Sequence, residues 1–259
     1  MAKIELYNDN FQNWKSYNIP CKAQLVIADI PYNIGANAYG SSPQWYNDGD
    51  NKNGESKLAK SSFFRTDNNF NIAEYFNFCS QLLKKEPKER GKAPCMIVFC
   101  SEQQIPMVTE YGIKHGFKNN IPLYFIKNYS PQVLKANMRI VGAVERALVL
   151  YRDKLPKFNN RGCMVFNWFK WIRDGANIPK LHPTQKPVNL LETLIEIFTD
   201  IGDVVIDPVA GSGSTLRACA ETGRSCYGFE VDKGFYKLAK EKMLSHYEVS
   251  LFVGDGVGA

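Results

Sequence analysis

Short apolar runs alternate with stretches of helical spacing along most of the chain. Continuous or alternating apolar runs of four to eight residues are typical of strands, and apolar residues three or four positions apart indicate helices. Strands are predicted at residues 4–7, 23–28, 95–100, 121–126, 144–151, 204–206 and 226–229, and helices at 11–17, 72–85, 105–115, 188–198 and 215–221. This order predicts an α/β fold with a doubly wound, mostly parallel sheet covered by helices on both faces.

Two segments interrupt the alternation. Residues 33–71 are rich in Asn, Gly, Ser, Asp and Lys. A loop of this length in a compact domain usually acts as a lid or binding loop, and a disordered insertion explains the composition equally well. Residues 158–180 have no clear period and contain a cluster of Trp and Arg.

Composition narrows the class of protein. A chain of 259 residues with 44% hydrophobic and 22% charged residues is expected to form one domain, 1–259, with an ordinary core. No apolar run approaches the ~20 residues of a membrane span, and the first residues lack the apolar core of a signal peptide. The seven cysteines form no C-x-x-C pair. We therefore expect reduced thiols, no metal site, no membrane contact and a cytoplasmic location.

The positive charge is concentrated in one block. The net charge is +6, from 32 Lys+Arg and 26 Asp+Glu; residues 127–187 hold 12 of the former and 3 of the latter, so this block carries +9 and the remaining 20 and 23 give −3. Such a block is often only a solvated face. Here it is interleaved with Tyr, Phe and Trp, a combination that suits phosphates and unstacked bases and favours nucleic-acid binding.

The segment Asp29-Ile30-Pro31-Tyr32 ends the predicted strand 23–28. Pro31 has no N–H for a strand ladder and biases Ile30 toward an extended backbone. The segment presents a carboxylate, a carbonyl and an aromatic ring, which are two acceptors and a stacking face for the exocyclic amine of a flat base. An Asp before a Pro at a strand end also forms ordinary turns.

A second constellation spans residues 203–232. A buried strand leads into the Gly-rich turn Asp207-Pro208-Val209-Ala210-Gly211-Ser212-Gly213, and the next strand ends in Glu230, 17 residues after Gly213. Glycines in a strand-to-helix turn let a ligand approach the backbone, and an acid about 20 residues later can accept from both ribose hydroxyls. A purely structural turn is the alternative.

The ligand predicted for this turn lacks phosphate. The sequence has neither the Gly-Lys-Ser/Thr of a P-loop nor the third glycine of G-x-G-x-x-G, where Leu216 stands. Asp207 would repel a pyrophosphate and accept from an ammonium group. These features indicate S-adenosyl-L-methionine, which has a ribose and an amino-acid tail. Asp9, in a strand-to-helix loop, is either a helix cap or a nucleotide contact.

With these segments the chain resembles the DNA amino-methyltransferases, which methylate adenine-N6 or cytosine-N4. The resemblance spans nearly the whole chain. Asp29-Ile30-Pro31-Tyr32 corresponds to the catalytic D-P-P-Y motif, residues 207–213 to the cofactor motif, and His182-Pro183-Thr184-Gln185-Lys186-Pro187 to an H-x-T-Q-K-P segment. Their order, with a basic region between the catalytic and cofactor motifs, resembles the β-class.

The resemblance implies a Rossmann-like methyltransferase fold and a set of site residues. Asp29, the Ile30 carbonyl, Pro31 and Tyr32 would be catalytic. The residues expected to bind S-adenosyl-L-methionine are Asp9, His182, Thr184, Gln185, Lys186, Asp207, Pro208, Gly211, Ser212, Gly213 and Glu230. Residues 33–71 would form a lid and 128–180 a target-recognition region. Ile30 departs from the motif's first proline, but only its backbone carbonyl is used.

The expected activity is transfer of a methyl group to adenine-N6 in double-stranded DNA, with base flipping. Asp rather than Ser at position 29 favours adenine by resemblance. Cytosine-N4 or RNA methylation, a DNA-binding module that no longer turns over and, more distantly, a nucleotide-dependent dehydrogenase are the alternatives. A homodimer and a cognate restriction endonuclease are partners that the sequence leaves open.

Overall fold

The fold is an open twisted sheet with helices on both faces. The structure, a computed structural model, describes residues 2–20, 22–31, 70–128, 132–135, 140–182 and 184–247. The strands are β1 Ile4–Tyr7, β2 Leu25–Asp29, β3 Cys95–Phe99, β4 Asn119–Lys127, β5 Gln132–Lys135, β6 Ile140–Gly142, β7 Val144–Tyr151, β8 Trp168–Trp171, β9 Val204–Asp207 and β10 Ser225–Phe229. The α-helices are α1 Ile72–Leu82, α2 Ile105–Lys114, α3 Val188–Phe198, α4 Ser214–Glu221 and α5 Lys233–Leu238.

Eight strands form the main sheet in the order β1-β10-β9-β2-β3-β7-β4-β8. The pairs from β1 to β3 are parallel, β7 is antiparallel to both neighbours, and β8 runs parallel to β4. β5 and β6 form a separate antiparallel pair. The predicted doubly wound, mostly parallel sheet is confirmed.

Each face of the sheet has its own helical layer. Leu191 of α3 and Leu216 of α4 belong to one buried cluster, together with alternate residues of the central strands. Phe76 of α1 and Val108 of α2 belong to the other cluster. β2 and β3 are buried on both faces, which is why they have continuous apolar sequences rather than alternating ones.

Several details differ from the sequence-based predictions. The segment predicted as a helix at 11–17 is a 3-10 helix, Phe11–Ser16. β8 lies in the stretch where no period was found. Only four residues pair there, at the edge of the sheet, and three of them are not buried, so burial imposes no pattern on the sequence. The predicted lid, 33–71, lies outside the described residues except for Phe70 and Asn71; Asn71 caps α1 by accepting from Ala73 and Glu74 N–H groups.

Two further findings concern the cysteines and the helices of the described part of the chain. Six cysteines lie there, each of them free, and only Cys163 is exposed. None of the helices described is long and apolar enough to cross a membrane.

Close packing of α4 against β10 depends on a glycine. A Cβ atom at Gly228 would lie 2.7 Å from Leu216 Cδ1 and 3.2 Å from Ala210 Cβ. The absence of a side chain at this position lets the helix that follows the Gly-rich turn approach the sheet.

We expect Gly228→Ala to destabilise the protein by about 1–3 kcal/mol, since the added methyl overpacks a well-filled core. The free energy of unfolding from chemical denaturation measures this. Gly112→Ala in α2 is the matched control, because its Cβ would meet nothing closer than 3.6 Å and alanine favours helix. Equal losses in the two variants would contradict this account of the α4–β10 contact.

Candidate active site

The acidic residues predicted for the two halves of the site lie at one edge of the sheet. β2 and β9 are neighbouring parallel strands, so the carboxyl ends at Asp29 and Asp207 face the same side. Val26 pairs with Ile206, which places Asp29 two residues farther along its strand than Asp207. β10, on the other side of β9, ends just before Glu230. In open α/β sheets, ligands bind outside this edge, where the strand order reverses.

The Gly-rich turn between β9 and α4 brings its backbone to this edge. Asp207 Oδ1 accepts a hydrogen bond from Val209 N at 3.1 Å. Gly211 and Gly213 have φ of 52° and 77°, a left-handed region that favours glycine. The hydroxyl oxygens of Ser212 and Ser214 are 2.8 Å apart. Pro208 continues the chain from β9 into the turn.

Glu230 closes the turn from the neighbouring strand. Its Oε2 accepts from Gly211 N at 2.8 Å and its Oε1 from Asp232 N at 2.7 Å. Asn8 donates to the Glu230 carbonyl at 2.8 Å. The carboxylate is therefore fixed against the backbone of the predicted cofactor turn.

Burial shifts the titration of both acids. It raises the pKa of Asp207 to about 7, although hydrogen bonds from Thr215 and Val209 oppose the shift. It also raises the pKa of Glu230 to about 7, against the bonds from Asp232 and Gly211. A cationic ligand with ribose hydroxyls fits such a pair, because it stabilises the ionised carboxylates that burial disfavours.

Asp29 is paired with a lysine from another predicted motif. Lys186 Nζ donates to Asp29 Oδ2 at 2.5 Å. Asp29 Oδ1 is buried and has no hydrogen-bond partner among the described residues. Burial is the largest influence on the pKa of Asp29 and raises it, while Lys186 lowers it. The structure thus places Lys186 beside the predicted catalytic segment, which we call the acceptor side of the site because the target amine is expected to bind there. The predicted contact of Lys186 with the cofactor stays a prediction.

Two residues that the sequence analysis missed extend this pair. Glu145 Oε2, on β7, lies 3.1 Å from Lys186 Nζ, and Lys127 of β4 donates to Glu145 Oε1. Glu145 and Arg146 stand near the start of a segment that is otherwise apolar, Val-Glu-Arg-Ala-Leu-Val-Leu-Tyr. A charge there was a signal of a buried partner, but its partner depends on strand order, which the sequence does not reveal.

The backbone after Asp29 is held by a glutamine that was also missed. Gln104, buried before α2, donates from Nε2 to the Pro31 carbonyl at 2.8 Å. Its Oε1 accepts from Ser101 N and Oγ at 3.0 and 3.1 Å. Ile30 N donates to the Phe99 carbonyl at 3.3 Å. Tyr32 lies outside the described residues, so its stacking role stays a prediction.

The H-x-T-Q-K-P segment forms a compact turn before α3. His182 Nδ1 lies 3.2 Å from Thr184 N and 3.0 Å from Thr184 Oγ1. Gln185 donates to the Pro179 carbonyl at 3.1 Å and accepts from Leu181 N at 2.9 Å. Burial lowers the pKa of His182 to about 4, so the ring is neutral near pH 7. Pro183 lies outside the described residues.

Asp9 forms its described hydrogen bonds with residues close to it in the chain. Its Oδ1 accepts from Asn10 N at 2.7 Å and Asn13 Nδ2 at 2.8 Å, and Tyr17 donates to Oδ2 at 2.8 Å. Asn10 caps the 3-10 helix. Of the two alternatives weighed for Asp9, these bonds favour the local structural one, and its contact with a nucleotide stays a prediction.

The basic block divides into structural and exposed parts. Arg152 donates to the Ser80 and Lys84 carbonyls at 3.1 and 3.3 Å, so its guanidinium ties β7 to α1. Residues 161–168 are all exposed, and the rings of Phe166 and Trp168 stack with centroids 5.7 Å apart. These residues and Arg173 are exposed at the β8 end of the sheet.

Comparison with known proteins supports the family that the sequence motifs resemble. A family model described as DNA methylase matches residues 23–241. Type II methyltransferase M.HpaI of Haemophilus parainfluenzae is 25% identical over 86% of this chain and 68% of its own. DNA adenine methyltransferase YhdJ of Escherichia coli K12 is 26% identical over 95% of this chain and 85% of its own.

Solved structures share the fold. The M1.HpyAVI complex with SAM has a TM-score of 0.65 and 24% identity, covering 92% of this chain and 98% of its own. PvuII DNA methyltransferase, described as cytosine-N4-specific, has a TM-score of 0.59 and 15% identity over 96% and 89%. Because the family model spans most of the residues that build the sheet and both motif turns, the chain belongs to the N6/N4 DNA methylase family, whose cofactor is S-adenosyl-L-methionine.

Proposed function

We propose that this protein transfers a methyl group from S-adenosyl-L-methionine to the N6 amine of adenine in double-stranded DNA. The observation that carries the proposal is the adjacency of β2 and β9, which gives a carboxylate at each strand end, Asp29 and Asp207, on one edge. When bound, the cofactor supplies a methyl group on a sulfonium. Transfer then depends mainly on positioning.

On the acceptor side, Asp29 and the Ile30 carbonyl accept hydrogen bonds from the two N–H groups of the amine, and the nitrogen loses one of these protons when it has gained the methyl group. The amine lone pair is delocalised into the base, so accepting its hydrogens favours a pyramidal and more nucleophilic nitrogen. Tyr32 stacks on the ring. Since the reacting nitrogen is out of reach at close range in a stacked duplex, the nucleotide is flipped out at a cost of a few kcal/mol.

On the donor side, Glu230 accepts from the ribose hydroxyls and Asp207 from the ammonium of the amino-acid tail. Glycines at 211 and 213 leave room at the turn, with Pro208 and Ser212 completing it. Asp9 contacts the adenine of the cofactor, and His182, Thr184, Gln185 and Lys186 close over the amino-acid end.

DNA binding is assigned to segments outside the two strand ends. We assign target recognition to residues 128–180, supported by the exposed basic and aromatic side chains of 161–173, and closure over the substrate to residues 33–71, within one catalytic domain, 1–259. Phosphate contacts from such a region position the duplex, and base-edge contacts select the sequence.

Cytosine-N4 is the second candidate acceptor. It is favoured by the shared fold with PvuII methyltransferase, whose description is cytosine-N4-specific, whereas the adenine methyltransferase YhdJ supports adenine. Transfer of labelled methyl groups to a poly(dA)-containing duplex and to an adenine-free duplex separates the two. Label only on the adenine-free duplex would overturn the adenine assignment.

Asp29→Ala is expected to lower the single-turnover methylation rate by about 10²–10⁴-fold, the usual cost of losing a positioned acceptor of protons or hydrogen bonds. Cofactor affinity by calorimetry should change little, since Asp29 acts on the base. Glu110→Ala in α2 is the control, because that carboxylate is exposed, pairs with Lys114 among the contacts described and lies outside the residues assigned to target recognition. A near wild-type rate for Asp29→Ala would sink the assignment.

Cofactor affinity should weaken as the pH falls through about 7, where Asp207 and Glu230 titrate in the ligand-free protein. Their raised pKa values mean that both must lose protons to hold a cation, so the loss approaches about tenfold per pH unit for each group. Calorimetric titrations across this range measure it. Glu230→Gln should bind more weakly at high pH with a shallower dependence, and titration of the ligand itself is common to both proteins. Identical slopes would contradict a role for Glu230.

A further inference from the structure

Four buried or half-buried charged groups form a row behind the acceptor side of the site. Lys186 Nζ lies 2.5 Å from Asp29 Oδ2 and 3.1 Å from Glu145 Oε2. Lys127 pairs with the other oxygen of Glu145. The row therefore alternates in sign, and its formal charge is zero when all four groups are ionised.

The two ammonium groups of this row lie over aromatic rings. Lys186 Nζ is 5.2 Å from the centroid of the Phe99 ring and 5.6 Å from that of Trp171, and Lys127 Nζ is 4.4 Å from that of Trp171. Only 7% of each lysine side chain is exposed. Cations over aromatic faces keep part of the stabilisation that water would give, so Lys186 is confined between Asp29 and Glu145.

This arrangement conflicts with the role of Asp29 as acceptor. Lys186 already occupies Oδ2, and a cation there withdraws charge from the carboxylate. It also opposes the positive charge that develops on the target nitrogen during transfer. A second carboxylate within reach of the same ammonium removes the conflict, because the lysine then has another place to bind.

We propose that Glu145 is a positioning residue for methyl transfer, which takes over the Lys186 ammonium when the target amine binds the Asp29 carboxylate. Lys127 holds Glu145 in place for this exchange. The inference rests on the proposed function only in requiring an exocyclic amine at Asp29, so adenine and cytosine serve equally.

The charges next to Asp29 determine the direction in which each variant should shift its pKa. Apart from burial, Lys186 lowers the pKa of Asp29, Glu145 raises it and Lys127 lowers it. Other titratable groups near this end of the sheet are the Asp207 carboxyl, the Cys100 thiol, the Arg146 guanidinium and the His182 imidazole, whose pKa is lowered by burial and by Lys186. None of these four residues is changed in the variants described below.

The first test is Glu145→Gln. This change removes the Glu145 carboxylate to which Lys186 is proposed to move, so the single-turnover rate should fall about tenfold or more and the acid limb of the pH–rate profile should move to lower pH by up to about one unit. Asp203→Asn is the matched control: its side chain is 15% exposed, against 17% for Glu145, and it pairs with Lys84 at 2.7 Å away from the site. Its rate should be that of the wild type.

Lys127→Met and the double variant Lys127→Met/Glu145→Gln complete the test. Lys127→Met removes a cation, so the acid limb should move to higher pH. The double variant restores the charge balance, and its acid limb should return toward that of the wild type. Its rate should nevertheless stay low, because Lys186 has no second carboxylate. The row of the double variant has no net charge, whereas that of Glu145→Gln has an excess positive charge. The double variant can therefore still be tested if Glu145→Gln does not fold.

Three results would overturn the proposal: a wild-type rate for Glu145→Gln, a loss no larger than that of Asp203→Asn, or recovery of the rate in the double variant, which would mean that net charge alone matters. Failure of the proposed function is recognised separately, since the wild-type protein would then methylate neither duplex before any variant is compared.

Discussion

Parallel pairing of β2 with β9 is the constraint on which the site depends. These strands come from distant parts of the chain, and their hydrogen-bonded register fixes how far Asp29 and Asp207 reach beyond the sheet. Helices cover both faces of the two strands, so a slip by one residue would move every side chain into the packed layer on the opposite face. The separation of the two strand ends is therefore set by the core and not by the loops.

Buried charge is the second organising feature of this edge. Asp207 and Glu230 lie buried at neighbouring strand ends, and the half-buried Asp29 has a lysine against it. A protein interior disfavours such ions unless they are paired. The donor side has acids in excess, which a cationic ligand relieves, whereas the acceptor side supplies its own cations from Lys186 and Lys127.

The sequence predicted what depends on local pattern. Continuous apolar runs identified the central strands, and the Gly-rich turn with Glu230 after the next strand predicted a nucleoside site, because each signal lies within one β-α-β unit. The Glu145–Lys186 contact could not be predicted in this way. It requires β7 to lie antiparallel between β3 and β4, and antiparallel insertion beside parallel strands follows from no spacing in the chain. β8 escaped detection for a related reason: a short edge strand has little burial to impose a period.

The Gln104 side chain holds the Pro31 carbonyl from outside the catalytic segment. A proline at position 30 would stiffen this turn from within, through its own ring, whereas here the hydrogen bond from Gln104, in the 3-10 helix Glu102–Gln104, supplies the stiffness from outside. The geometry of the segment therefore depends on a residue more than seventy positions away, so a description of the segment by its own four residues leaves out one of the contacts that hold it.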